Sequence, residues 1–96
     1  MKPSKVIKTN RERIKLVLEQ YHVTNPRIFG SVARGTDTEE SDIDLLVETT
    51  TDTTMMDIGH IKYQLKKLLG VSVDVLTLNS VPKNKSAQLL EESKPL

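Results

Sequence analysis

Two aspartates one residue apart, Asp42 and Asp44, stand at the head of an apolar run, Leu45, Leu46 and Val47. In a strand, residues i and i+2 point to the same face, roughly 6.6 Å apart along the backbone. Asp42 and Asp44 then share a face, and Ile43 and Leu45 take the other. Paired carboxylates at that spacing suit a hard divalent cation such as Mg²⁺, which bridges protein oxygens to substrate phosphates. Upstream, Gly30-Ser31 makes a turn whose backbone N–H groups and hydroxyl can receive an anion, and a helix starting there would strengthen it. Arg34 follows, with a guanidinium suited to bidentate phosphate recognition. A phosphate cradle and a carboxylate pair on one short segment point to nucleotide chemistry.

Aspartate is depleted in strands, so two of them ahead of an apolar run call for a role. A third, Asp74, sits inside the Val-rich stretch 71–77 and reaches the pair if the two strands are neighbours. Glu48 and Asp52 are its rivals, with surface exposure as their expected state. His22 and His60 lack partners at metal-ligand spacing and read as helix-surface residues. The sequence shows no Ser–His or Cys–His pair for nucleophilic catalysis.

The elements that must position these residues follow from periodicity. Residues 1–8 have no apolar period and are expected to be frayed. Thr9 with Glu12 fits a capping box, and Ile14, Val17, Leu18 and Tyr21 form one helical stripe ending near Tyr21 or His22. Asn25-Pro26 signals a turn, and 27–29 a short strand running into Gly30. Ser31 is the expected N-cap of a short helix closed by Gly35. Residues 36–40 form a polar loop, and 42–48 a strand. Asp52 or Thr53 caps a helix with the stripe Ile58, Ile61, Leu65 and Leu68, flanked by Met55 and Leu69 and ended by Gly70. Residues 71–77 alternate as a strand, and 87–92 make a last short helix after Pro82. This order predicts an α/β or α+β sheet with helices packed on it.

Ninety-six residues suit one small domain with one core, and one Phe, two Tyr and no Trp make that core aliphatic. The absence of Cys excludes a disulfide framework and thiolate metal sites, and makes a cytoplasmic location the simplest expectation. No apolar run approaches the length of a membrane span. The net charge of +1 hides a segregation. Between Gly35 and Ile61 there is no Lys or Arg, yet Asp37, Glu39, Glu40, Asp42, Asp44, Glu48, Asp52 and Asp57 all fall there. Lys2, Lys5, Lys8, Arg11 and Arg13 precede this stretch; Lys62, Lys66 and Lys67 follow it. These are solvated faces, or else bound cations offset the acidic centre while the basic flanks attract a polyanion or an acidic partner.

Gly30-Ser31, Ala33-Arg34-Gly35 and Ser41-Asp42-Ile43-Asp44-Leu45-Leu46-Val47, in that order, resemble the signature of the DNA polymerase β-like nucleotidyltransferases. Within that superfamily the chain most resembles the minimal nucleotidyltransferases, the antitoxin halves of HEPN–MNT toxin–antitoxin pairs. The likeness extends more weakly from Arg11 to Leu78. It implies a small mixed sheet of the polymerase β-like fold in a single domain over 1–96, ATP as substrate and two Mg²⁺ ions. Asp42 and Asp44 would hold both ions. Asp74, matched by position alone, would bind the catalytic one and help take the acceptor's proton. Gly30, Ser31, Arg34 and Ser41 would contact the nucleotide. Larger members carry an acceptor-binding domain for which this chain has no room, so the acceptor is expected on a partner: a tyrosine hydroxyl of a HEPN ribonuclease toxin. Two alternatives stay open, an antitoxin acting by contact alone and a stand-alone transferase for a small molecule. Neither nucleic-acid binding nor a membrane role is indicated directly.

Overall fold

The computed structural model describes residues 1–96. Its first helix, α1 (Pro3–Gln20), begins well before the expected start at Thr9, with a proline in the first turn, where a missing N–H costs nothing. Residues 1–8 are therefore largely helical and not frayed, and Val6 and Ile7 are buried. The expected capping box does not form. Thr9 Oγ1 bonds back to the carbonyls of Lys5 and Val6, at 3.1 and 3.2 Å. Asn10 leaves helical geometry (φ −118°, ψ 17°), and its side-chain amide donates to the Val6 carbonyl at 2.9 Å. A polar side chain bonded to the preceding turn is a recognised cause of a kink.

The remaining elements are β1 (Val23–Phe29), α2 (Gly30–Arg34), β2 (Ile43–Thr49), α3 (Met55–Leu69), β3 (Val73–Thr77), a 3₁₀ turn (Leu78–Ser80), α4 (Lys83–Glu92) and β4 (Lys94–Pro95). The sheet runs β3-β2-β1-β4. β1 pairs antiparallel with β2 and β4, and β2 pairs parallel with β3, so the sheet is mixed. The expected turn at Asn25-Pro26 is instead an irregularity inside a longer strand. The register with β2 shifts between Thr24 and Arg27, and Asn25 takes a positive φ of 48°. Asn tolerates that conformation, and the missing donor of proline is cheapest at such a bulge. The Asn25 side chain donates to Glu48 across the pair.

α1 and α3 pack side by side on one face of the sheet. Ile14 and Leu18 from α1 and Ile61 and Leu65 from α3 join Ile28, Ile43, Leu45, Val47 and Val73 in one aliphatic cluster. The helical stripes thus face inward as periodicity requires. The cap of α3 is Thr54, two residues beyond Asp52 and one beyond Thr53, the expected caps. Its Oγ1 accepts the Asp57 N–H at 3.2 Å, and Asp57 Oδ2 accepts the Thr54 N–H at 2.9 Å. Met55, expected beside the stripe, points out of the helix with Met56; both are exposed. β2 is buried on both faces: Leu46, on the opposite side from Leu45, faces a cavity shared with Leu78 and Leu90. A central strand buried on both sides carries a continuous apolar run.

α4 starts at Lys83, earlier than expected, and the short β4 after it had no signal in the sequence. β4 is held from β1: Arg27 donates to Ser93 Oγ at 2.6 Å and to the Ser93 carbonyl at 3.2 Å. Leu96 beyond it is buried in the main cluster. No helix is long and apolar enough to cross a membrane.

Candidate active site

The two strands that carry the acidic residues lie side by side. Asp44 on β2 is the register partner of Asp74 on β3 and, on its other side, of Phe29 on β1. Neighbouring strands are about 4.8 Å apart, and register partners in a parallel pair project to the same face. Asp44 and Asp74 therefore stand together on the sheet face opposite α1 and α3, at the end away from Leu46 and its cavity. Asp42 lies one residue before β2 and is exposed. Asp44 is half-buried, which pushes its carboxyl above the ordinary value of 3.8; the charges of Asp74 and Asp42 push it further, and Arg34 opposes them. The structure thus brings Asp42, Asp44, Asp74 and Arg34 into one electrostatic neighbourhood.

Gly30 completes that neighbourhood from the β1 side. Its φ is +73°, a conformation that L side chains rarely adopt. A Cβ built on it would overlap Asp44 Oδ2 and lie 3.1 Å from Asp44 Cγ. Glycine is thus needed here for a reason internal to the chain: the Asp44 carboxylate occupies the space of a side chain. α2 begins at Gly30, with Phe29 as its N-cap residue, so Ser31 is inside the first turn and is not the N-cap. The Ser31 carbonyl accepts the Thr36 N–H at 3.0 Å. Gly35 ends α2 in the left-handed conformation (φ 74°), as its position after Arg34 suggested.

Ser41 is engaged in the loop itself. Its Oγ accepts the Thr38 N–H at 2.9 Å, and its own N–H donates to the Thr38 carbonyl at 3.0 Å. Asp37, in the same loop, is buried and accepts the Ser4 N–H at 2.9 Å. That bond, the largest influence on the group, holds the Asp37 carboxyl below its ordinary range. It serves as the carboxylate cap that α1 lacks locally, because Lys2 at the N-cap position contributes no side-chain bond. Sequence reading gave Asp37 no role beyond acidity; its partner is distant in sequence and no local pattern marks it.

The rivals of Asp74 lie elsewhere. Glu48 pairs with Asn25 at the far end of β2, and Asp52 is exposed in the turn before α3. Of the two histidines, His60 is exposed on α3, as expected, whereas His22 lies off the helix. His22 occupies the turn after α1 with φ 61°, accepts Thr50 and Thr53 hydroxyls at its carbonyl, and approaches Asp57 at 3.4 Å. The Thr54 N–H chiefly, and then His22, keep the Asp57 carboxyl below its ordinary range. His60 meets the Tyr21 ring with centroids 5.5 Å apart.

A nucleotidyltransferase domain model matches residues 7–96. The chain belongs to the nucleotidyltransferase domain family. A candidate protein adenylyltransferase of Methanocaldococcus jannaschii is 39% identical over 86% of this chain and 89% of its own length. The protein adenylyltransferase MntA of Thermococcus cleftensis is 30% identical over 81% of this chain and 79% of its own length. Among solved structures, a minimal nucleotidyltransferase superposes with a TM-score of 0.88 at 34% identity, covering 97% of this chain and 95% of that one. An MNT antitoxin from Shewanella oneidensis, bound to a tri-AMPylated HEPN toxin, shares the fold at a TM-score of 0.69 and 20% identity, over 92% of this chain and 69% of that one. The small mixed sheet expected from the sequence is thus that of the minimal nucleotidyltransferases, and the enzyme class is nucleotidyl transfer.

Proposed function

We propose that this domain is an antitoxin that transfers AMP from ATP to a tyrosine hydroxyl of a partner HEPN ribonuclease toxin, with Mg²⁺. The observation that carries the reading is the packing of Gly30 against Asp44 beside the Asp44–Asp74 register pair. This packing supports a reading in which the Gly30–Ser31 turn receives phosphate beside the carboxylates. The relative named protein adenylyltransferase and the fold shared with the antitoxin of an AMPylated toxin support the choice of acceptor.

The donor set fits a hard cation: Asp42, Asp44 and Asp74 offer oxygen alone, and their crowding is relieved by positive charge. No three such side chains are gathered closely enough to enclose an ion by themselves. When bound, such ions offset charge on the phosphates as pyrophosphate leaves. The residues of this chain position the reactants. The Gly30–Ser31 turn and Arg34 receive the triphosphate. The acceptor oxygen attacks the α-phosphorus, the bond to the bridging oxygen breaks, and pyrophosphate departs with its electrons. Asp74 takes the hydroxyl proton, while Ser41 shapes the loop that delivers Asp42. Transfer of this type depends on positioning and electrostatics more than on covalent catalysis.

The test is intact-protein mass spectrometry of the partner toxin with ATP and Mg²⁺, beside a growth-rescue assay. The toxin gains mass in AMP-sized steps with the parent chain and none with the folded Asp42→Asn, Asp44→Asn, Asp74→Asn triple variant, which also fails to rescue. Rescue by that variant would show neutralisation by contact alone.

A further inference from the structure

A groove of about 490 Å³ runs between α3 and β3, lined by Gly59, Lys62, Tyr63, Lys66, Ser72 and Asp74. It leads to Asp74 from the β3 side, whereas the Gly30–Ser31 turn meets Asp44 from the β1 side. The two flank the carboxylates from opposite directions, as an acceptor and a departing pyrophosphate must in a roughly in-line displacement. Met56, Gly59, Tyr63 and Lys66 recur at i, i+3, i+7 and i+10, so they form one side of α3, turned away from the buried Ile61 and Leu65. On that side Met55, Met56 and Tyr63 are 89%, 71% and 64% exposed. Such residues are enriched where proteins meet, and methionine adapts to varied partners. No atom lies within 4 Å of where a Cβ on Gly59 would stand, so a peptide backbone can approach the helix closely there. Lys62 and Lys66 form no ion pair within the chain.

We propose that this groove seats an acidic segment of the protein that accepts AMP, with Lys62 and Lys66 holding its carboxylates and the acceptor hydroxyl delivered to Asp74. The proposal rests on the adenylyl-transfer reading and adds to it the chemistry of the acceptor's surroundings. The occupant is a protein segment and not the nucleotide, because the apolar area of Met55, Met56 and Tyr63 extends the surface beyond the charged groove and the triphosphate has its own turn. Two lysines facing acidic groups accelerate and orient docking in a salt-dependent way.

Two fluorescein-labelled heptapeptides test it, one with acidic residues flanking a central tyrosine and one with lysines in their place. Each is titrated by anisotropy against the full chain with Mg²⁺ and AMP-PNP. The acidic peptide binds about ten-fold more tightly or better, and the Lys62→Glu, Lys66→Glu variant reverses the order. Both positions are exposed, so the variant stays folded, its Tm lowered by a few degrees at most because Lys66 lies in the last turn of α3, and calorimetry gives it an unchanged AMP-PNP affinity. Equal binding of the two peptides, or a preference untouched by the charge reversal, overturns the proposal. Loss of AMP-PNP affinity in the variant does so too, by giving the groove to the nucleotide. With ATP in place of AMP-PNP, acidic preference without AMP-sized mass gain on the peptide or on any partner protein counts against adenylyl transfer while upholding the groove's selectivity. Mass gain that ignores Lys62 and Lys66 does the reverse.

Discussion

Gly30→Ala should separate the cost of backbone strain from the cost of moving a carboxylate. Gly30 and Gly35 have nearly the same positive φ, 73° and 74°. A side chain at either pays the left-handed penalty of about 1–2 kcal/mol. Around Gly35 nothing lies within 4 Å of the new Cβ, so that penalty is the whole effect. At Gly30 the methyl overlaps Asp44 Oδ2 and stands 3.1 Å from its Cγ, so the carboxylate has to swing away. In a domain of this size each kcal/mol lowers Tm by about 4–8 °C. Both variants should therefore melt lower by a comparable amount, with Gly30→Ala equal to or somewhat below Gly35→Ala. Their rates should part. A reactive group displaced by about 1 Å costs roughly 10²-fold in rate, so Gly30→Ala should transfer AMP about a hundred times more slowly than Gly35→Ala at a temperature where both are folded. Thermal melts and initial rates of AMP incorporation, measured on the same preparations, make the comparison. Rates within two-fold of each other would refute the argument that Gly30 is there to leave room for Asp44.

Two further predictions concern pH in the metal-free protein. Folding raises the Asp44 carboxyl above 3.8, so its ionisation works against the folded state as pH climbs through 3.8 toward the raised value. Asp44→Asn should thus match the parent in stability at low pH and exceed it at neutral pH; urea melts at pH 3 and pH 7 showing a neutral-pH loss would contradict this. Asp37 has the opposite sign: its carboxyl is depressed, so its contribution is present above 3.8 and fades as pH falls through the lower folded value. Asp37→Ala should cost about 1 kcal/mol at pH 7, the usual worth of a helix cap, and the deficit should shrink in acid; equal melting of the two proteins at neutral pH would end that account.

What the sequence makes legible follows from what is local in it. Asp42, Asp44, Gly30 and Gly35 are read from spacing because strand and turn geometry act over a few residues, and the structure packs Gly30 against Asp44. Asp74 is readable through the penalty for aspartate in a valine-rich strand, although its adjacency needed the parallel β2–β3 pairing. The misreadings have a common cause. Val6 and Ile7 form too short a pattern to signal a helix, and their burial comes from contacts made later in the chain. Asn25-Pro26 carries turn chemistry, but sheet pairing on both sides absorbs it as a bulge. Lys94-Pro95 has nothing strand-like about it. The Arg27–Ser93 contacts and the burial of Leu96 hold that segment against β1.

The loop between α2 and β2 shows why those distant contacts matter to the site. Asp42 itself is exposed and has no regular structure beneath it, so its position depends on how the loop is held. At one end Asp37 is fixed to Ser4 at the start of α1. At the other, Ser41 and Thr38 close a turn through two hydrogen bonds, just before the chain enters β2. Only Asp42 separates that turn from Ile43, whose N–H is bonded to the Ser72 carbonyl next to β3. The N-terminal turn of α1 therefore has a bearing on Asp42 without contributing a residue to the site. On the proposed role of Asp42 as a metal ligand, holding it by its supporting loop lowers the ordering cost that substrate binding would otherwise bear. A loss of the Asp37 cap should accordingly weaken nucleotide binding as well as the fold, which a stability defect confined to α1 would not do.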